Sequence, residues 1–195
     1  MNILSIIASY LIGSISNAYL VVKYTKNIDI RTVGSQNAGA TNVLRTAGIV
    51  PAVLVFFLDI CKGVIAVTIG RILGGETTSL WCGIAAVVGH NWPLYFGLRG
   101  GKGSATSFGV IWATVPTIAL IITATGIITI AITHYVSLGS IVVAPLFPIL
   151  MLAFGKSREH VIFALILMML TLYRHRSNIV RLREGKESKL GQRLK

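Results

Sequence analysis

Long apolar stretches alternate along the chain with short polar segments that are rich in glycine. The first apolar stretches are 3–22, 48–70 and 79–88 with its flanks. Because a helix needs about 20 apolar residues to cross the hydrocarbon core of a bilayer, these stretches predict transmembrane helices. The next stretch, 104–155, has no formal charge apart from a possible proton on His134. Its length fits either two long spans or three short ones.

The positions of the basic residues decide between these two arrangements. Three spans, near 104–118, 119–134 and 138–154, give seven in all and place 14 of the 18 Lys and Arg residues on one face. Two spans would instead place the basic tail 174–195 on the other face. Since cytoplasmic loops carry an excess of Lys and Arg, the three-span arrangement is favoured. The sequence therefore predicts an all-α polytopic membrane protein with seven transmembrane helices, the N-terminus outside and the C-terminus in the cytoplasm. Residues 1–195 are expected to form a single integral-membrane domain.

The composition agrees with a membrane protein and limits its partners. Of 195 residues, 54% are hydrophobic and 12% are charged, and a soluble domain of this size cannot bury so much apolar surface. The net charge of +12 is typical of proteins that bind anionic lipids, anionic substrates or nucleic acids. Nucleic acid is not expected as a partner, because the basic residues lie in short pieces between apolar stretches. Cys61 and Cys82 lie in apolar stretches and are interpreted as core residues.

The first polar segment, 34–45, has the composition of a phosphate-binding loop. Its glycines allow backbone N–H groups to face an anion, and a predicted helix follows, whose N-terminal amides attract anions. Arg45 adds a planar cation that suits phosphate oxygens. An ordinary turn, with Thr41 or Asn42 as a helix N-cap, is the alternative. The candidate substrate-binding residues are Ser35, Asn37, Gly39, Thr41, Asn42 and Arg45.

The second polar segment, 100–106, places a lysine among glycines before a predicted helix. This arrangement also indicates phosphate binding. It is not a Walker A loop, because Phe96 and Gly103 occupy positions where that motif needs Gly and Ser or Thr. A re-entrant turn with a snorkelling lysine is the alternative. The candidates here are Lys102, Gly103, Ser104 and, just upstream, His90.

The third polar segment, 174–187, continues from the last predicted span. If it is helical, Arg174, Asn178 and Arg181 recur along one face, and His175 lies three residues before Asn178. A basic tail lying on anionic headgroups is the alternative. It explains the arginines well but the histidine and asparagine less well.

Two further polar features fall within the predicted spans. Asp59 and Lys62 lie three residues apart, and an ion pair that fixes the helix bundle is the favoured interpretation. Ser140, near the start of the sixth span, could be an N-cap, a packing residue or a substrate ligand. The six acidic residues do not cluster, so metal chemistry is not expected and no metal or cofactor is predicted.

Several motifs, in this order and spacing, resemble those of the bacterial PlsY-type acyl-phosphate:glycerol-3-phosphate acyltransferases. They are Gly34-Ser35-x-Asn37-x-Gly39-Ala40-Thr41-Asn42 with Arg45, Asp59-x-x-Lys62-Gly63, Gly89-His90-Asn91-x-Pro93, Gly100-Gly101-Lys102-Gly103-x-Ala105-Thr106 and Arg174-His175-x-x-Asn178-Ile179-x-Arg181-Leu182-x-x-Gly185-x-Glu187. The opening Gly13-Ser14-Ile15 is also similar, although Ser16 replaces an expected proline. The resemblance extends over nearly the whole chain.

The resemblance implies a multi-pass enzyme of the bacterial inner membrane whose active site faces the cytoplasm. It would transfer an acyl group from acyl phosphate to glycerol 3-phosphate, giving lysophosphatidic acid and phosphate in phospholipid biosynthesis. Its partners would be these two substrates and membrane lipids, with no obligate protein partner and no cofactor. A small transporter for organophosphates, using the same loops, is the alternative.

Two phosphates would have to be held in this reaction. We expect Arg45, Lys102 and the backbone amides around Gly39 and Gly103 to bind them. Phosphate binding is therefore the expected function of both glycine-rich segments, 34–45 and 100–106.

The acyl-transfer step needs a hydroxyl to be oriented and a proton to be removed. Ser35, Asn178 and Ser140 are expected to orient the hydroxyl or to donate to the developing oxyanion. His175 is the first candidate for proton transfer. His90 is the second, with bracing of its loop as its alternative role, and a substrate phosphate oxygen could take the proton instead. The expected catalytic residues are therefore Ser35, Lys102, His175 and Asn178.

Overall fold

A computed structural model describes residues 1–192, and helices are the only regular secondary structure in that part of the chain. The all-α prediction is confirmed. Arg193 and Lys195, two basic residues of the predicted tail, lie outside the described residues. The helices are α1 (Ile3–Gly13), α2 (Asn17–Lys26), α3 (Ala40–Ala47), α4 (Ile49–Asn91), α5 (Ser104–Thr114), α6 (Pro116–Thr133), α7 (Val136–Ala153), α8 (Arg158–Arg174) and α9 (Arg176–Arg183), with a 3₁₀ turn at Leu94–Phe96.

Among the described residues, four helical stretches are long and apolar enough to cross a membrane. They are Ile3–Lys26, Ile49–Phe96, Pro116–Thr133 and Val136–Ala153. The second one is broken, because Gly75 has the non-helical angles φ 74° and ψ −169°. The predicted spans 48–70 and 79–88 lie on either side of this break.

The contacts divide the described chain into two compact units. The first unit is Met1–Ala113 with Gly191 and Gln192, and the second is Thr114–Leu190. The expectation of a single domain stays a prediction.

Glycines bring α1 and α4 into backbone contact in the first unit. A Cβ atom on Gly13 would collide with the backbone of Ala86, and one on Gly89 would collide with the backbone of Tyr10. The Tyr10 hydroxyl donates to the carbonyl oxygen of Trp92 at 2.9 Å. Such close approach is the main source of helix association in lipid, where burial of apolar surface between helices provides little driving force.

The predicted ion pair is present inside the first unit. Lys62 Nζ lies 3.0 Å from Asp59 Oδ1, and both side chains are buried. Lys62 also donates to the carbonyl oxygens of Gly13, at 3.1 Å, and Ile15, at 3.0 Å. These carbonyls belong to the break between α1 and α2, which forms although Ser16 replaces the expected proline. Unsatisfied backbone groups are costly in a membrane, so the lysine stabilises the break.

A small apolar core fixes the segment that follows α2. Ile30 and Ala38, from the loop, pack with Val22 of α2, Val43 of α3 and Val55 of α4. Ile30 and Ala38 therefore anchor the loop on both sides of residues 34–37.

The second unit contains α6 to α9. Phe147 of α7 and Phe163 of α8 pack edge to face, with their ring centroids 5.8 Å apart. After α9 the chain returns to the α6–α7 turn, where the Leu190 amide donates to the His134 carbonyl oxygen at 2.7 Å. The tail of the second unit is thus part of its fold.

The contact at Gly13 predicts a loss of stability when this residue is enlarged. Gly13→Ala should destabilise the protein by about 1–3 kcal/mol, since the added methyl overpacks a backbone contact. Gly126→Ala is the matched control, because its Cβ would meet only Val143 Cγ1 at an ordinary 3.6 Å. Thermal unfolding in one detergent compares them. A Gly13→Ala protein that melts at or above the wild-type temperature would contradict the packing.

Candidate functional site

In the first polar segment, Asn42 holds the loop together. Its Oδ1 accepts from the amide of Ser35 at 2.9 Å, and its Nδ2 donates to the carbonyl oxygens of Ile30 at 3.2 Å and Val33 at 3.0 Å. Asn42 is almost completely buried, and a Cβ on Gly34 would collide with its Oδ1. The glycine and the asparagine therefore form one turn that presents Ser35, which is exposed.

The remaining candidates of this segment lie around the start of α3. Gly39 precedes the helix in an extended conformation, and its amide donates to the Asn37 carbonyl oxygen at 2.9 Å. Thr41 and Arg45 are four residues apart on α3, so their side chains leave the same helix face. Both are half-buried.

In the second polar segment, the glycines lie directly on the end of α4. The Gly101 amide donates to the His90 carbonyl oxygen at 3.2 Å, and a Cβ on Gly100 would collide with that same oxygen. Gly103 has φ +79°, which disfavours other residues, and its position faces Asn91 Oδ1. Lys102 is half-buried between these glycines, immediately before Ser104, the first residue of α5.

The first and second polar segments, together with residues that precede them, contact each other within the first unit. Arg31 donates to the Phe96 carbonyl oxygen at 3.1 Å, while its guanidinium forms a bidentate pair with Asp29. The hydrogen bond from Arg31 lowers the pKa of Asp29, so this pair stays charged at neutral pH. A Cβ on Gly101 would also collide with the Ala38 carbonyl oxygen. Two loops that are separate in sequence are thus in direct contact.

In the second unit, His175 separates α8 from α9 and is buried. Its Nδ1 lies 2.8 Å from the Thr171 carbonyl oxygen. A carbonyl oxygen can only accept, so Nδ1 carries a proton, and in the neutral ring Nε2 is the nitrogen that can accept one. This tautomer suits a general base.

Glu187, which is not among the predicted site residues, organises the third polar segment. Glu187 Oε1 accepts from Asn178 Nδ2 at 2.6 Å and from Ser137 Oγ at 2.7 Å, and Oε2 accepts from Arg181 Nε at 2.7 Å. Ser140 lies on α7 one turn beyond Ser137 and is half-buried. The only signal in the sequence was the place of Glu187 as the last residue of the third motif.

The environment of Glu187 keeps it charged. Burial alone would raise its pKa, but the hydrogen bonds from Ser137, Asn178 and Arg181 outweigh burial and hold the pKa below its ordinary value. A carboxyl with a lowered folded-state pKa stabilises the fold above its unfolded-state pKa, and this contribution is lost as the pH falls through the folded-state value. The hydrogen bonds that Glu187 accepts from Ser137, Asn178 and Arg181, here called the Glu187 clasp, are therefore intact at neutral pH.

The predicted site residues divide between the two units. Among them, Ser140, His175, Asn178 and Arg181 belong to the second unit, and the others belong to the first. Within residues 1–192, no group of three His, Cys, Asp or Glu side chains is placed to hold a metal ion.

Comparison with known sequences gives a match over nearly the whole chain. The sequence model of the family described as "Glycerol-3-phosphate acyltransferase" matches residues 3–185. A glycerol-3-phosphate acyltransferase from Thermoanaerobacter sp. (strain X514) is 54% identical over 191 residues, which cover 98% of this chain and 96% of the relative. One from Alkaliphilus metalliredigens (strain QYMF) is 44% identical over 193 residues, covering 99% and 98%.

Comparison with solved structures gives the same result. The crystal structure of PlsY, an integral membrane glycerol 3-phosphate acyltransferase, in its glycerol 3-phosphate form matches with a TM-score of 0.92 and 38% identity, covering 97% of this chain and 95% of that one. Its lysophosphatidic acid form matches with a TM-score of 0.90 and 37% identity, at the same coverage. This chain is therefore a multi-pass integral membrane protein that belongs to the glycerol-3-phosphate acyltransferase family.

Proposed function

We propose that this protein transfers an acyl group from acyl phosphate to glycerol 3-phosphate and releases lysophosphatidic acid and phosphate. The observation that carries the proposal is the full-length match to acyltransferases whose solved forms include glycerol 3-phosphate and lysophosphatidic acid. These relatives support acyl transfer to glycerol 3-phosphate, and none supports the transporter alternative.

Acyl phosphate as the donor rests on the chemistry of the residues. A mixed anhydride is already a good electrophile, so the reaction needs phosphate binding more than it needs strong general bases. The substrate hydroxyl oxygen attacks the acyl carbon, the bond from that carbon to the phosphate oxygen breaks, and inorganic phosphate leaves. The hydroxyl proton passes to His175 Nε2 or to a phosphate oxygen.

The positions of several side chains support the proposed residue roles. Arg45, Lys102 and the amides near Gly39 and Gly103 would bind the phosphates, since all of them belong to the first unit, in or next to the two loops that meet at Gly101 and Ala38. Ser35 is presented by the Asn42 turn and would contact the reacting groups. Asn42 would act by shaping this loop, because its amide is used within it.

The second unit would supply the groups for proton transfer and orientation. Asn178 is fixed by the Glu187 clasp and would orient the substrate hydroxyl, together with Ser140 and Arg181. Because His175 Nδ1 donates to the Thr171 carbonyl oxygen, the neutral ring can accept a proton at Nε2.

The same proposal includes the membrane arrangement. If α1 and α2 together form one broken span and α4 forms two, then α5, α6, α7 and α8 bring the number to seven. The excess of Lys and Arg in the three polar segments favours a cytoplasmic C-terminus and an active site on the cytoplasmic face of the bacterial inner membrane. The whole chain would act as one integral-membrane domain.

A reconstituted assay tests the reaction. Purified protein with acyl phosphate and glycerol 3-phosphate should release one phosphate for each lysophosphatidic acid formed. Omission of either substrate is the control. Uptake of glycerol 3-phosphate into sealed liposomes without formation of an ester would contradict the proposal and favour a transporter.

The tautomer of His175 predicts a specific loss of turnover. His175→Ala should lower kcat by about 100-fold or more, because the hydroxyl proton loses its acceptor. His134→Asn is the control, since His134 is exposed at the α6–α7 turn and asparagine tolerates its left-handed conformation. Near-normal turnover in folded His175→Ala would assign the proton to a substrate phosphate instead.

A further inference from the structure

The buried carboxylate of Asp59 has more neighbours than an ion pair requires. Besides Lys62, its Oδ1 accepts from Asn17 Nδ2 at 2.9 Å, and His90 Nδ1 lies 3.6 Å away. Three segments thus meet at one oxygen: the start of α2, the first half of α4 and the end of α4. Asp59 is only 1% exposed, so it belongs to the interior rather than to the exposed part of the loops.

His90 connects this carboxylate to the second polar segment. Its Nδ1 faces Asp59, whereas its Nε2 faces Gly101, where an added Cβ would collide with that nitrogen. The His90 carbonyl oxygen accepts from the Gly101 amide. Ring and backbone of one histidine therefore support the glycine that precedes Lys102.

Because Gly101 has no side chain, the His90 ring can lie directly against its backbone. The Gly101 position is enclosed between the His90 ring and the Ala38 carbonyl oxygen. A rotation of the His90 ring would remove the surface on which the Gly101–Lys102 backbone rests. Such a ring needs a fixed partner on its far side, and Asp59 is the charged group there.

We propose that Asp59 is a positioning residue for the reaction: it orients His90, and His90 holds the Gly101–Lys102 backbone in its phosphate-binding geometry. Lys62 balances the buried charge and binds the carbonyl groups of the helix break. Asp59 touches no substrate in this account. His90 braces the loop rather than transferring the proton, because its two nitrogens face Asp59 and Gly101.

A double-variant cycle in the full-length enzyme tests this proposal. Asp59→Asn and His90→Gln are made singly and together, and kcat and both KM values are measured with acyl phosphate and glycerol 3-phosphate. Each single variant should raise one KM about tenfold, and the affected substrate should be the same in both variants. The kcat should stay within about threefold of wild type. The double variant should equal His90→Gln alone, because Asp59 acts through His90. Additive effects, or a fall in kcat without a change in KM, would overturn the proposal.

A second variant separates positioning from folding. Asp59→Asn alone leaves Lys62 as a buried cation without its carboxylate, which can prevent folding. Asp59→Asn combined with Lys62→Gln is neutral and keeps an amide donor for the carbonyl groups of the break. This variant should melt within a few degrees of wild type while KM stays raised. A wild-type KM in the neutral pair, or its failure to fold, would make the role of Asp59 structural and overturn the proposal.

The proposal rests on acyl transfer as the function, and the cycle separates the two. A wild-type enzyme that forms no ester would refute the proposed function and the positioning role with it. An active wild type whose variants are additive would refute only the positioning role.

Discussion

Charged groups are costly in the hydrocarbon of a bilayer, yet the proposed reaction joins an ionic headgroup to a chain dissolved in that hydrocarbon. In the described part of the chain, most Lys and Arg residues lie at helix ends and in polar loops, and the acyl donor would meet them there. The Asp59–Lys62 pair is the exception, since both side chains are buried within a span. Its cost is offset because one charge satisfies the other and each also binds polar groups of neighbouring segments.

Close approach of backbones is the second condition of this architecture. Gly13 and Gly89 bring α1 onto α4, while Gly63 and Gly109 do the same for α4 and α5, because a Cβ on any of them would meet backbone atoms. The loop at 100–103 uses the same device against His90. Polar loops can therefore lie deep against the helix ends without a layer of side chains between them, which keeps their amides in fixed positions.

The apolar stretches and the glycine-rich segments predicted much of this structure. The all-helical fold, the buried ion pair and the acyltransferase family follow from hydropathy, charge spacing and ordered motifs. The break at Gly75 fell between two predicted spans, because polar and small residues there weaken the hydrophobic pattern. The helix α3 was not predicted, since it is a two-turn element inside a polar segment.

Residue roles were harder to predict, because they depend on contacts distant in sequence. Asn42 is a predicted substrate ligand, but its side chain already makes hydrogen bonds within the loop. Its Nδ2 donates to two loop carbonyl oxygens, and its Oδ1 accepts from the backbone N–H of Ser35. Glu187 gains its role from Ser137, 50 residues away. Lys62 was expected to pair with Asp59, but its bonds to the carbonyl groups of Gly13 and Ile15 require α1 to be broken beside it. No local pattern encodes such contacts.

We propose that all three polar segments lie on the cytoplasmic face of the membrane. Single cysteines at Thr32 and Tyr95, which precede the first and second segments, and at Lys186, within the third, can be placed in a Cys61→Ala, Cys82→Ala background. Each is then exposed to a membrane-impermeant maleimide. All three should react in inside-out vesicles and not in intact spheroplasts, whereas a cysteine at Lys156 should show the reverse. Labelling of any one of the three from the same side as position 156 would contradict the account.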